Sequence, residues 1–124
     1  MITGVVNARR EATLRLPVRD ASGQEQQIEV VLDTGFSGSL TLPPPVIVAL
    51  GLPFRSRGSA LLADGSQTEF DIHAATIAWD GAPRNILVEA ADTDPLVGMG
   101  LLYGHDIHIR AVDGGHVTIQ NLTN

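Results

Sequence analysis

Asp33-Thr34-Gly35 is the tripeptide in this chain best suited to chemistry. It follows Ile28-Glu-Val-Val-Leu32, a run apolar on both faces near its end, so a carboxylate stands where a buried strand stops. The glycine lets the backbone approach closely, and exposed amides there can hydrogen-bond the carboxylate. The same triplet also serves as an ordinary turn at a strand end, and alone it does not choose between the two. A second segment, Leu96-Val97-Gly98, lies about 65 residues further on, two apolar residues and a glycine ahead of a helical turn.

Other reactive groups are few. The chain has no cysteine, and its eight basic residues are all arginine. Thiolate catalysis, Schiff bases, disulfides and cysteine-ligated metals are therefore excluded, leaving carboxylate, hydroxyl and imidazole chemistry. His105, Asp106 and His108 invite a metal reading, but on a strand His105 and His108 point to opposite faces, so no metal site is expected. Asp92 and Asp94 lack the EF-hand pattern and read as a solvated acidic turn. Ser37 or Ser39 with a histidine would need a Gly-x-Ser-x-Gly elbow, which does not occur. Gly98-Met-Gly-Leu-Leu-Tyr103 is not a dinucleotide fingerprint, and no cofactor is expected. Trp79 and Tyr103 read as core or rim packing.

The elements that must position Asp33 are mostly strands. Aromatics are 4% of the chain while glycine and proline number 13 and 7, which favours short strands and tight turns. The expected class is all-β with one or two short helices. Leu14, Leu16 and Val18 alternate with polar residues, and Pro17 argues for an edge or bulge. Pro43-Pro-Pro45 followed by Val46 to Gly51 predicts a short helix, proline at its start and glycine at its end. Hairpins are predicted about Asp64-Gly65 from Ser59, about Asp80 to Pro83, and about Asp113-Gly-Gly115 with arms His105–Val112 and His116–Gln120.

One domain is expected over residues 1–124, and any bilobal architecture needs a second copy. A formal charge of −6 gives no long-range attraction to nucleic acid or anionic lipid. The apolar stretches Val46–Phe54 and Pro95–Tyr103 are too short for a membrane span of roughly 20 residues, and the first residues lack a signal-peptide pattern. A soluble, cytoplasmic protein is expected. Asn121-Leu-Thr123 fits the glycosylation pattern, inert in that compartment.

Taken in order, Asp33-Thr-Gly-Phe-Ser-Gly38, Leu40-Thr-Leu-Pro43, the Asp64-Gly65 hairpin, Leu96-Val-Gly98 and a final hairpin resemble the retropepsin-like, single-lobe aspartic proteases, in particular their short bacterial members. The similarity runs from about Ile28 to Gln120. It implies a closed β-barrel-like lobe of acid protease fold that makes half an active site. Two copies would pair as a homodimer, each contributing Asp33, to form an aspartic endopeptidase acting on a peptide or an unfolded protein without a cofactor. By the same resemblance Thr34 bonds across the two-fold, Gly35 supplies an amide, and Gly98 packs under the Asp33 loop. Ser37 and Met99 stand where many retroviral relatives carry a pairing Asp and Arg. Ala63-Asp64-Gly65-Ser66 would be the tip of a flap, or, on its residues alone, an ordinary surface hairpin. Phe36 replaces the small residue usual after the glycine, and Gly100 stands where an acidic or amide residue is frequent. The alternative function on the same fold is a catalytically inactive dimeric module that binds a peptide or protein. The terminal segments, Met1–Asn7 and Val117–Asn124, are implied to interleave in a dimer sheet.

Overall fold

Period-2 alternation builds most of this chain into strands. The computed structural model describes Met1–Leu122; residues 123 and 124, which end the glycosylation pattern and the C-terminal segment, lie outside the described residues. The strands are β1 (Ile2–Val6), β2 (Ala12–Arg19), β3 (Glu25–Leu32), β4 (Leu40–Leu42), β5 (Phe54–Leu61), β6 (Gln67–Trp79), β7 (Ala82–Ala90), β8 (Leu96–Val97), β9 (His105–Ile109) and β10 (His116–Asn121). Two short helices, α1 (Pro44–Leu50) and α2 (Met99–Leu102), complete the chain, as expected for an all-β protein.

The strands pair in the order β5-β6-β7-β4-β8-β3-β2-β1-β10-β9, with a further β6–β2 pairing. That extra pairing, Val18 opposite Ile77, closes β6-β7-β4-β8-β3-β2 into an uneven ring. On this flank of β2 the partner changes from β1, at Ala12 and Thr13, to β6, at Val18. Pro17 falls between the two stretches, so its missing N–H breaks no ladder there. Inside the ring Leu16, Val18, Val30, Leu40, Leu42, Ile77, Val88, Val97 and Leu101 are almost fully buried. Each such side chain contributes about 1.5–3 kcal/mol of burial.

Helix α1 has proline in its first turn and ends at Gly51, whose left-handed φ of 67° lets its N–H reach back to Val48. Asp80 and Gly81 both have positive φ, 54° and 81°, the conformation of a tight two-residue turn, so β7 starts at Ala82. The hairpin arm predicted from Ser59 begins earlier, at Phe54. Strand β9 stops at Ile109 and does not reach Val112. Gly114 donates to Val6 and Val6 to Gly115, tying residues 110–115 to β1 as a turn. The terminal segments do pair, and within one chain: Ile2 lies opposite Ile119 and Val5 opposite His116. No helix among the described residues is long and apolar enough to cross a membrane.

Candidate active site

Alternation along β3 sends Ile28, Val30 and Leu32 toward the core and Glu29, Val31 and Asp33 to the opposite face. Asp33 is half-buried just past the strand end, where its amide donates to the Val97 carbonyl at 2.8 Å. One carboxylate oxygen, Oδ1, accepts the Gly35 amide at 2.9 Å. Oδ2 makes no hydrogen bond among the described residues.

The loop from Asp33 to Ser39 is held by topology. Strand β3 pairs with β8 in parallel and β4 pairs with β8 antiparallel, so the connection between them must cross over the end of β8. Three amides fasten it: Gly98 to the Ser39 carbonyl at 3.1 Å, Met99 to Phe36 at 2.7 Å and Gly100 to Gly38 at 3.0 Å. A Cβ at Gly98 would collide with the Gly38 and Phe36 carbonyl oxygens and the Phe36 ring; one at Gly100 would meet the backbone of Gly38 and Ser37. Glycine at position 100 is thus set by contact with the loop. Beneath it, the buried Thr41 hydroxyl accepts the Leu96 amide at 3.1 Å.

Thr34, Gly35 and Ser37 are exposed on this loop, and neither the Thr34 nor the Ser37 hydroxyl bonds within the chain among the described residues. Phe36 is partly buried, its ring lying over Gly98 and Gly38. Met99 and Tyr103, 39% and 81% exposed, leave apolar surface beside the loop.

Two features escaped sequence reasoning. Glu89, on β7 opposite Thr41 and Ile72, brings its carboxylate against Gly38, on the side also taken by the Phe36 ring. Burial pushes this carboxyl above the ordinary glutamate value. The sequence signal was Gly38, the only residue type that leaves room for the carboxylate. The second is a recess of about 220 Å³ on the Asp33-bearing face of β3, lined by Glu29, Val31, Arg9, Glu11, Asp94 and Pro95 among others. A larger recess of about 560 Å³, between the β6–β7 hairpin and the C-terminal end of α1, includes none of the Asp33 loop.

Ala63, Asp64, Gly65 and Ser66 form the exposed tip of the β5–β6 hairpin. Leu62 donates to Ser66 at 2.7 Å and Gly65, with φ +85°, to Leu62 at 2.9 Å. The Asp64 carboxylate accepts both the hydroxyl and the amide of Ser66, which lowers its pKa. Leu61 and Leu62 are exposed beside this tip.

The remaining candidates are placed elsewhere. His105 accepts the Trp79 indole N–H on Nε2 at 3.0 Å, and its Nδ1 faces the Leu102 and Tyr103 carbonyls, so the ring is neutral with the proton on Nδ1. Nε2 thus holds the buried Trp79, and Nδ1 the end of α2. Among the described residues no three of His, Cys, Asp and Glu are grouped for a metal, and no serine hydroxyl bonds a histidine. Asp92 and Asp94 are exposed in the loop before β8, where Asp94 borders the 220 Å³ recess.

No family model and no curated protein matches the chain. Among solved structures it is similar to the EIAV protease complexed with the inhibitor HBY-793, at 20% identity and a TM-score of 0.57, over 77% of this chain and 88% of that one. The chain has a retropepsin-like fold.

Proposed function

We propose that this protein is an aspartic endopeptidase, a single domain over residues 1–124 that works as a homodimer with one Asp33 from each copy. The observation that carries the reading is the state of Asp33: fixed through its amide to Val97 and through Oδ1 to Gly35, with no hydrogen bond on Oδ2 among the described residues, in a retropepsin-like fold. Two carboxylates held about 3 Å apart cannot both ionise, so one keeps its proton and the pair titrates as a unit. The ionised member takes a proton from water as the water attacks the peptide carbonyl; the protonated member donates to the developing oxyanion, and a proton then passes to the leaving nitrogen. No covalent intermediate forms.

In this reading the exposed Thr34 hydroxyl finds its acceptor on the second copy, and Met99 and Tyr103 give the pair apolar surface to bury. The β5–β6 hairpin closes over an extended peptide as an added strand, with Leu61 and Leu62 supplying apolar cover at Ala63–Ser66. Digestion of a diverse peptide mixture, read by mass spectrometry, tests this: wild type cleaves and Asp33→Asn, folded to the same degree, does not. Specific activity also falls on dilution below the dimer dissociation constant, whereas a monomer of undiminished activity overturns the shared site.

Phe36 favours a second reading, a dimeric peptide-binding module without catalysis, because its ring occupies space beside the loop that a small residue would leave open. Phe36→Ala separates the two: an occluded protease gains activity, and a binding module stays silent.

A further inference from the structure

We infer that Glu89 and Phe36 together form a subsite for a cationic substrate side chain, arginine above all; this rests on the peptidase reading and adds its substrate class. Glu89 projects from the outer face of β7, away from the buried Val88, and its carboxylate lies against Gly38, five residues along the loop from Asp33. It forms no ion pair or side-chain hydrogen bond among the described residues, and burial alone accounts for its raised pKa. A carboxylate partly withdrawn from water without a partner is disfavoured, and an arriving cation reverses that by supplying charge-assisted hydrogen bonds.

The Phe36 ring makes the choice of cation narrower. It lies on the same side of Gly38 as the carboxylate, so a ligand that reaches Glu89 there does so beside an aromatic ring. A planar guanidinium can pair with a carboxylate through its edge and stack its face on a ring, which an ammonium cannot do. The bulky residue that departs from the family pattern and the orphan carboxylate are thus explained by one ligand group. The 220 Å³ recess on the Asp33-bearing face of β3 is also acidic on balance, with one arginine, Arg9, beside Glu11, Glu29 and Asp94. A basic substrate is favoured over an acidic one, in keeping with a net charge of −6.

The test uses matched peptides from the cleavage screen in which one residue is arginine or its neutral isostere citrulline, at each position in turn. At one position wild type should cut the arginine peptide at least about tenfold better in kcat/KM, and Glu89→Gln should bring that ratio to within about twofold. Phe36→Ala should reduce the advantage of arginine over lysine while leaving a preference for positive charge. Thermal melting of each variant checks the fold. Wild type that cleaves arginine and citrulline peptides equally at every position overturns the inference and leaves the peptidase reading standing. Wild type that cleaves neither overturns the peptidase reading. In that event the same peptides, fluorescently labelled, are titrated onto wild type: tighter binding of the arginine peptide, lost in Glu89→Gln, upholds the subsite, and equal binding removes it.

Discussion

Asp33 and Asp64 sit in turns that are locally almost the same. In each the amide two residues on donates to Oδ1 at 2.9 Å, from Gly35 in one and from Ser66 in the other. The difference comes from what surrounds the turn. Asp64 is fully exposed, and its Oδ1 also takes the Ser66 hydroxyl at 2.6 Å, so its carboxylate is spent on keeping its own turn. Asp33 is half-buried, anchored by the Val97 carbonyl and set in a loop that three amides, from Gly98 after β8 and from Met99 and Gly100 of α2, hold in place. Its second oxygen is left over. On the peptidase reading, what sets the reactive carboxylate apart is the tertiary clamp around it, which local sequence does not display.

The comparison is broken most directly by removing each carboxylate. On the peptidase reading, Asp33→Asn should lower cleavage by more than about a thousandfold, since no other group on this loop would hold the dyad proton, whereas Asp64→Asn should cost less than about tenfold by loosening the hairpin tip. Peptide kinetics on the two variants decide it, and equal effects would mean that Asp33 is only another turn residue. The clamp is tested next through two glycines. Gly98→Ala forces a methyl into the Gly38 and Phe36 carbonyls and should destabilise by about 3 kcal/mol, with loss of cleavage. Gly65→Ala has open space around it and pays only for its φ of +85°, about 1 kcal/mol. Urea denaturation measures both.

The two turns also explain what could be read from sequence. Helix α1 was legible because proline and glycine mark its ends, and the Asp64-Gly65 and Asp80-Gly81 turns because their residues favour left-handed φ. Asp33 and Gly98 were legible as a pair only through the resemblance that their order and spacing carry. The start of β5 was hidden: Phe54-Arg-Ser-Arg-Gly58 is largely exposed, with a register shift after Phe54, and carries no alternation. Val112 looked like strand because it is apolar, yet the chain there is bent by backbone bonds to β1, a partner more than a hundred residues away. In the sequence Glu89 is one polar residue within the apolar run Ile86 to Ala90, and nothing local sets it apart. Its burial depends on the parallel pairing of β4 with β7 and on the absence of a side chain at Gly38, two facts that no local window contains.

The smallest expected effect separates the carboxylates by the sign of their pH dependence. The Ser66 hydroxyl, then its amide, lowers the Asp64 pKa below 3.8, so Asp64 stabilises the fold above its unfolded pKa, and that contribution is lost as pH falls through the folded value. Burial raises the Glu89 pKa above 4.5; its contribution is complete below the unfolded pKa and is lost as pH rises through the folded value. Asp64→Asn should therefore be less stable than wild type at neutral pH and converge with it in acid. Glu89→Gln should be more stable at neutral pH, because it removes an unpaired, partly desolvated charge, and should lose that advantage toward about pH 3. Both differences are small, since Asp64 is fully exposed and Glu89 retains solvent contact, so they are read as differences in urea midpoint measured side by side across the pH range. A Glu89→Gln protein less stable than wild type at neutral pH would mean that the carboxylate already has a partner, and the contrast between a carboxylate spent on its own turn and carboxylates held in reserve would then apply to Asp33 alone.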